Sequence, residues 1–554
     1  MSWVQRGLDI DGEAAFDLSG SSVSLSSNGN TVAIGAISNN GNGSDSGHVR
    51  VYDWIGSVWT QRGLDIDGEA SNDSSGWAIS LSSNGNTVAI GAPFNDVNGS
   101  DSGHVRVYDW VGGVWTQRGL DIDGEAAGDR SGQSVCLSSN GNTVAIGAPF
   151  NSVNGFGSGH VRVYDWVGGV WTQRGLDIDS EAGGDRFGFY VSLSNDANTI
   201  AIGAPTNGNG YVRVYDWIGG VWIQRGLDID GEAGSDSSGW SVSLSSNGNT
   251  VAIGAPFNDG NGSSSGHVRI YDWNGSNWSQ RGLDIDSEAD GDLSGISVSL
   301  SSNGNIVAIG AANNDGINGS NSGHVRVYYW NGSNWVQRGS DIDGETSADQ
   351  LGFFVSLSSI GNTVAIGARF GNGINGTDSG YARIYDWCPP IINNNFSTLA
   401  NAYACYLGNL LANTPYADVL VVLNGFCDLI KQRIEIDRKL NKGNLTMNSC
   451  DLYDKSTYQQ SLCKKVNYQT LLASLSMAKT ILECNVSNNV DIDSVGVNIL
   501  IQLFGPTGEW YNPNMSCFDD LTIYYNNKSC GTTGIVWQPT ITDCIAEATT
   551  VVNG

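Results

Sequence analysis

Lysine is missing from the first 387 residues: all eight lysines of this 554-residue chain lie beyond that point. Basic charge is scarce throughout, with 27 Lys+Arg against 56 Asp+Glu, and residues 1–387 hold 17 and 42 of these. Nucleic acid and anionic lipid both need Lys or Arg to release counterions or meet phosphate, so neither is an expected partner. Cations, basic proteins and neutral glycans stay open. No run of 18 apolar residues exists, and the nearest approach, residues 417–429, is broken by Asp418, Asn424 and Asp428. A membrane span is therefore not expected. Cysteine is nearly absent before residue 388. The one exception, Cys136, takes the place held by Ser24, Ser80, Ser192, Ser243, Ser299 and Ser356 and reads as a neutral strand variant.

Beyond residue 387 the composition reverses. Nine cysteines, Cys388, Cys405, Cys427, Cys450, Cys463, Cys484, Cys517, Cys530 and Cys544, occur there without a C-x-x-C pair or a histidine. That pattern argues against zinc and for disulfides made in an oxidising compartment, with one cysteine left over. N-x-S/T sequons at Asn72, Asn98, Asn274, Asn277, Asn331, Asn395, Asn444, Asn485 and Asn527 are glycosylation candidates pointing the same way, although an Asn-, Gly- and Ser-rich chain writes such triplets by chance. The chain opens at Met1-Ser2-Trp3 directly in a repeat, with no charged n-region or apolar h-region. Export then requires another route or a leader outside this sequence.

What is abundant is repetition. The tryptophan of W-x-Q-R-G recurs at Trp3, Trp59, Trp115, Trp171, Trp222, Trp278 and Trp335, in steps of 56, 56, 56, 51, 56 and 57 residues. Such a period, with several short strand signals per copy, marks a closed radial array or a solenoid. Within a copy, S-V-S-L-S and T-V-A-I-G-A flank an Asn-Gly hairpin turn. H-V-R-V-Y-D-W follows and turns back into W-x-Q-R-G-L. Four antiparallel strands make a propeller blade. Tryptophans bracket the last hairpin, as Trp54 and Trp59 do, and are expected to pin its register. The seventh copy ends at Trp387 with no following W-x-Q-R-G, whereas the chain starts with an orphan one. The phase thus predicts that Trp3–Leu8 completes the blade built from residues 352–387, closing a seven-bladed ring without open edges.

Ser238–Phe257, S-G-W-S-V-S-L-S-S-N-G-N-T-V-A-I-G-A-P-F, resembles the FG-GAP repeat of the integrin α-subunit propeller and its microbial relatives. Phe187-Gly188 keeps the Phe-Gly itself, and Gly-Ala-Pro stands at Gly91–Pro93, Gly147–Pro149, Gly203–Pro205 and Gly254–Pro256. The resemblance covers residues 1–387 and implies a seven-bladed propeller that binds other macromolecules. It departs from the family at the turn before the G-A-P strand. There the family often carries calcium-binding aspartates, and this chain writes S-S-N-G-N with Asp196 its one acid.

The long connections, D-I-D-G-E-A and P-F-N-D-x-N-G, fall at one end of such a ring and the tight turns at the other. One face is therefore expected to be plain, and the other acidic and variable. Asp-x-Asp-x-Glu recurs as Asp9/Asp11/Glu13, Asp65/Asp67/Glu69, Asp121/Asp123/Glu125, Asp177/Asp179/Glu181, Asp228/Asp230/Glu232, Asp284/Asp286/Glu288 and Asp341/Asp343/Glu345. Two readings stay open: each triplet supplies hard oxygen ligands to Ca²⁺, or it pairs with the two recurrent arginines of a copy, such as Arg62 and Arg106. No cofactor is required by either. His48, His104, His160, His267 and His324 share one strand-opening position, so none is singular in the way a catalytic base must be. Copy four departs by shortening its second long loop to Thr206–Gly210, a notch or a neutral deletion.

The expected organisation is an all-β propeller over 1–387, a Pro/Asn linker over 388–395, and over 396–554 a cysteine-rich, mainly helical α+β module for attachment or self-assembly. The expected function is non-enzymatic binding, adhesion or structure, with a protein or glycan on the long-loop face. A carbohydrate-active enzyme is the alternative and an intracellular scaffold the third reading. Unlike residues converging from several blades would favour catalysis, and sevenfold-equivalent surfaces would favour binding. In style alone the Asn-rich repetition resembles surface proteins of protists and large algal viruses. A virion surface therefore stands beside the cell surface and the extracellular space as the expected location.

Overall fold

The computed structural model describes residues 2–55 and 58–388, together with the backbone of Ser529–Cys530 and Ile535–Val536. Ser2–Trp387 is one compact unit of seven antiparallel sheets, each with four main strands. In the first blade these are Ser19–Leu25, Thr31–Ala36, His48–Ile55 and Val58–Gln61, from the axis outward. Ser2–Gln5 forms the outer edge of the sheet holding Phe354–Leu357, Thr363–Ala368 and Tyr381–Cys388, so the orphan N-terminal strand closes the ring as its phase predicts. The expected helical, disulfide-stapled module lies outside the described residues, apart from the antiparallel pairing of Ser529–Cys530 with Ile535–Val536.

Each blade is buried on both faces, which is why its strands read as nearly continuous apolar runs. The division of labour within T-V-A-I-G-A is by size. In the second blade Ile79, Leu81, Val88 and Ile90 pack against Ala33, Val49 and Val51 of the first, while Ala89 faces the third blade beside Val105 and Val107. Large side chains on one face thus meet small ones on the next. Gly91 completes the fit, because a Cβ there would stand 2.0 Å from the Gly132 carbonyl oxygen of the neighbouring blade.

Hydrogen bonds then lock the interfaces in a circle. At the short-turn end, Ser27, Ser83, Ser139, Asn195, Ser246, Ser302 and Ser359 each donate a backbone N–H to the carbonyl of the next, the last returning to Ser27, at 2.7 to 3.1 Å. At the periphery each outer tryptophan donates its indole N–H across a blade boundary, as Trp59 does to Arg6 O at 2.7 Å and Trp3 to Arg338 O at 2.8 Å. The paired tryptophans face one another as expected, with Trp54 opposite Trp59 and ring centroids 5.2 Å apart.

One feature escaped the sequence pattern. The outer strand does not end at Q-R-G. After a bulge over Arg62–Asp65 it resumes as Ile66–Asp67, which pairs with Val49 and His48 at the start of the third strand. Two residues of one strand there oppose four of the other, and such bulges re-aim side chains. Here Arg62 swings to the neighbouring blade and Leu64 points to solvent, while Asp65 and Asp67 are brought beside His48.

Candidate functional site

Two regions at the long-loop end hold the chemistry. The first is the repeated acidic element. Its leading aspartate accepts from the glutamine four residues earlier, as in Gln61 Nε2 to Asp65 Oδ1 at 2.6 Å, and the same clasp occurs in all seven copies. The middle aspartate sits in the short resumed strand, opposite the residue that opens the third strand. The glutamate departs to the next blade: Glu69 lies 3.6 Å from Arg106 and 3.9 Å from His104, not beside Asp65. Each triplet is therefore divided between two blade boundaries. Glu13, His48 and Asp65 converge, as do Glu69/His104/Asp121, Glu125/His160/Asp177, Glu232/His267/Asp284 and Glu288/His324/Asp341.

The grouping differs from the one expected within a copy. None of the middle aspartates, Asp11, Asp67, Asp123, Asp179, Asp230, Asp286 and Asp343, belongs to a converging group. The fifth triplet shows the physical reason. Asp228 is held by Arg213, Asp230 stands opposite Tyr211 with its side chain exposed, and Glu232 crosses to within 3.5 Å of Arg269. What Asp230 contributes is its backbone: its carbonyl accepts from Arg269 Nη2 at 2.8 Å. Asp228 and Asp230 are alternate residues of an extended segment and share a face, but the turn after Asp230 carries Glu232 to the next boundary, so the three carboxylates of a copy do not converge.

Of the two arginines per copy expected beside the acids, one is found there. The third-strand arginine does approach the acids: Arg50 Nη1 is 3.7 Å from Glu13, and Nη2 donates to the Asp11 carbonyl at 2.6 Å. The arginine of W-x-Q-R-G does not. Arg62 pairs with Asp53 at 2.6 Å and donates to Gly85 O of the next blade at 2.7 Å. Burial pushes the carboxyl groups of Glu13, Glu69 and Glu125 above the usual range, against the pull of Arg50, Arg106 and Arg162. Asp67, Asp123 and Asp179 are likewise raised by burial and by their neighbouring aspartates.

The second region is an axial cavity of about 270 Å³ lined by the innermost strands of every blade. Its mouth is made by the residue following the S-G, F-G or L-G glycine, and this position changes from each copy to the next: Ser21, Trp77, Gln133, Phe189, Trp240, Ile296 and Phe353. Phe189 and Trp240 lie 4.7 Å apart, and Trp77 and Trp240 make edge contacts with Phe94 and Phe257 at 5.4 and 5.5 Å. Three guanidinium groups stack among these rings. Arg130 is over Phe94 and Phe150 at 4.8 and 4.5 Å, Arg186 is over Phe150 at 4.9 Å, and Arg369 is over Phe353 at 3.5 Å. Arg369 lines the cavity and donates to Gln350 Oε1 at 3.2 Å, and burial lowers its pKa to about 10. Among the described residues the lining contains no carboxylate and no histidine. Sequence reasoning missed this cup, yet the signal was there: in a chain of near-identical copies, the one inner-strand position that changes every time marks the surface under separate constraint.

The remaining candidates are placed as follows. Asn72, Asn98, Asn274, Asn277 and Asn331 are all exposed, but the Asn98 amide already donates to Gly124 O at 2.8 Å, a loop clasp shared with Asn42 and Asn154. Asn395, Asn444, Asn485 and Asn527 lie outside the described residues, as do Cys405, Cys427, Cys450, Cys463, Cys484, Cys517 and Cys544 and the side chains of Cys388 and Cys530. Cys136 is a free thiol that accepts from Leu193 N at 3.3 Å, in the role played elsewhere by serine. Among the described residues no helix is long and apolar enough to cross a membrane.

Residues 227–271 match the FG-GAP repeat family. No curated protein matches the chain. Among solved structures it is similar to a candidate 6-phosphogluconolactonase from Bacteroides uniformis, with 12% identity over 59% of this chain and 86% of that one and a TM-score of 0.43.

Proposed function

Taking the ring as a seven-bladed propeller of FG-GAP repeats, we propose that it is a non-enzymatic binding module of an extracellular or particle-surface protein. Its long-loop face takes a protein or glycan partner. The observation that carries this reading is the axial cup, where unlike residues from all seven blades converge as aromatic and guanidinium surfaces. Convergence of unlike residues by itself favours an enzyme. General acid–base chemistry on glycosides, however, needs a pair of carboxylates flanking the bond, and the lining offers none. Aromatic faces with stacked arginines instead suit recognition of sugar rings or of an anionic, planar group by stacking and forked hydrogen bonds. The acidic loops around the cup favour basic protein surfaces and disfavour anionic ones. Attachment or self-assembly falls to residues 396–554.

The test is a screen of the full chain against glycans and proteins, repeated with Trp77→Ala and Trp240→Ala. A hot-spot tryptophan costs about 2 kcal/mol or more when truncated, so roughly 30-fold weaker binding with an unchanged melting temperature is expected. Binding that ignores both substitutions would remove the cup from the partner site. Turnover of any bound glycan would overturn the non-enzymatic reading. Thiol titration of the unreduced chain decides location, since nine or ten free cysteines would favour the intracellular scaffold.

A further inference from the structure

The five histidines that open the third strands are each at most 1% exposed and carry nitrogen atoms with nothing to bond. Both ring nitrogens of His48, His104 and His160, and Nε2 of His267 and His324, have no hydrogen-bond partner among the described residues. A buried polar group without a partner costs about 1–3 kcal/mol and calls for an explanation. In each case Nδ1 faces carboxylates. His48 Nδ1 lies 3.8 Å from Asp65 Oδ2 and 4.0 Å from Glu13 Oε2, with Asp67 Oδ1 also at 4.0 Å. Burial, aided by the charge of Arg50, holds the His48 pKa at about 4.

Two blades supply the control. Where the histidine is replaced by Tyr211 or Tyr381, the arginine two residues on enters the space and neutralises the acids itself. Arg213 binds Asp228 through Nε and Nη2, both at 2.8 Å, and reaches Glu181 at 3.2 Å; Arg383 does the same with Asp9 at 2.9 and 2.8 Å and with Glu345. The tyrosine hydroxyl meanwhile takes the loop aspartate, Asp185 or Asp349, at 2.9 Å. In histidine blades that aspartate is served by an asparagine, as Asn95 serves Asp73 at 3.1 Å. The asparagine position is held in the fourth blade by Asn207, whose carbonyl accepts from Gly210 N at 2.7 Å as that of Asn95 does from Gly103 N, and in the seventh by Gly371, where a Cβ would stand 2.1 Å from the Tyr381 ring. The fold therefore has one form of this boundary, used twice, in which the arginine closes on both acids, and another, used five times, in which it reaches only the glutamate, at 3.5–3.7 Å, and leaves the leading aspartate to the histidine.

We infer that the five His–Glu–Asp clusters are binding sites for a divalent cation of the zinc class, each built from the glutamate of one repeat and the histidine and leading aspartate of the next. Three donor atoms within 4.8 Å of one another, at the spacings given above, leave a centre roughly 2.2–2.5 Å from all three, close to zinc–nitrogen and zinc–oxygen lengths of about 2.0–2.2 Å. An imidazole nitrogen among two carboxylates selects zinc-like ions, whereas Ca²⁺ takes oxygen ligands alone. The grouping also differs from a calcium triplet read within one copy, because its ligands come from two copies. The bound ion would tie adjacent blades together at the long-loop end, opposite the backbone ring at the short-turn end.

The experiment uses the full chain, stripped with chelator and titrated with Zn²⁺ alone, metal per chain being counted after gel filtration. Cysteines beyond residue 387 add a constant background, so paired variants give the answer. His104→Tyr with Asn95→Gly copies the natural arrangement of the seventh blade and is expected to lose one zinc equivalent. Tyr381→His with Gly371→Asn is expected to gain one. Single His104→Ala and His160→Ala variants, each expected to lose one equivalent, guard against a paired variant that fails to fold. Unchanged stoichiometry in every folded variant overturns the sites, and histidine-dependent equivalents filled by Ca²⁺ in preference to Zn²⁺ overturn the class of ion.

Discussion

A histidine that folds into a position where it cannot hold a proton makes stability depend on pH. His104 is held at about 4 by burial and by Arg106, partly offset by Asp121 and Asp73, against about 6.5 in an unfolded chain. Its folded pKa is depressed, so the unfolded state takes up the proton first. The contribution is fully present above pH 6.5 and is lost as pH falls toward 4. Glu69 also faces the ring, and its own pKa, raised by burial, works in the opposite sense. In EDTA, between pH 7 and 5, the wild type is expected to lose about 2 kcal/mol more than the His104→Tyr/Asn95→Gly variant, read as the difference in denaturant midpoints at the two pH values. Equal losses would mean that the ring is not buried neutral. Cys136 gives a second expectation at this scale. Burial pushes its thiol pKa up, and its sulfur is a weak acceptor for Leu193 N–H, where Ser80 Oγ accepts from Leu137 N at 2.9 Å. Cys136→Ser is therefore expected to stabilise by about 0.5–1 kcal/mol, and a lower denaturant midpoint would show that the sulfur's packing outweighs the hydrogen bond.

Within the strands, the fit between blades depends on what T-V-A-I-G-A leaves out. Gly91 has no room for a methyl group, since the obstacle is the backbone carbonyl of Gly132 rather than a side chain that could turn away. Gly91→Ala must separate two blades or bend a strand, and overpacking of this kind costs about 1–3 kcal/mol or more. Ile90→Ala acts in reverse, leaving a cavity against Ala33, Val49 and Val51 at about 2–4 kcal/mol. Chemical denaturation should place both variants well below wild type, and a Gly91→Ala midpoint within error of wild type would refute the close approach. The strands, their order and their burial were legible because alternation and hairpin turns are local signals. The resumed strand Ile66–Asp67 was not. Two residues carry no periodicity, and the bulge at Arg62–Asp65 hides their continuity with Val58–Gln61. The acidic clusters were hidden for a related reason: Glu69, His104 and Asp121 are neighbours only across a blade boundary, whereas a repeat read copy by copy shows Asp65, Asp67 and Glu69, or Asp228, Asp230 and Glu232, as the unit.

For the whole ring, the phase of the repeat carried more information than any motif, because an orphan outer strand at one end and a missing one at the other can be reconciled only by closure. Closure makes the last blade depend on the first residues of the chain. Trp3 meets Trp387 in a tilted pair with centroids 5.2 Å apart, donates to Arg338 O, and packs against the core shared by the sixth and seventh blades. Asp9 neutralises Arg383, and Ile10–Asp11 pairs with Ala382 and Tyr381. Removing residues 1–13 would leave a three-stranded seventh blade with an unpaired edge and a buried guanidinium that keeps Glu345 but loses its bidentate partner Asp9. The truncated chain is expected to self-associate through that edge and to melt at a clearly lower temperature. A synthetic peptide of residues 1–13 should restore monomer and melting temperature in trans, because the strand it supplies is held by contacts and not by its covalent link at Ala14. The Trp3→Ala peptide should restore neither, and an Asp9→Asn peptide should do so only in part. A truncated chain that stays monomeric and melts with the wild type would show that the ring is held by the other six interfaces alone.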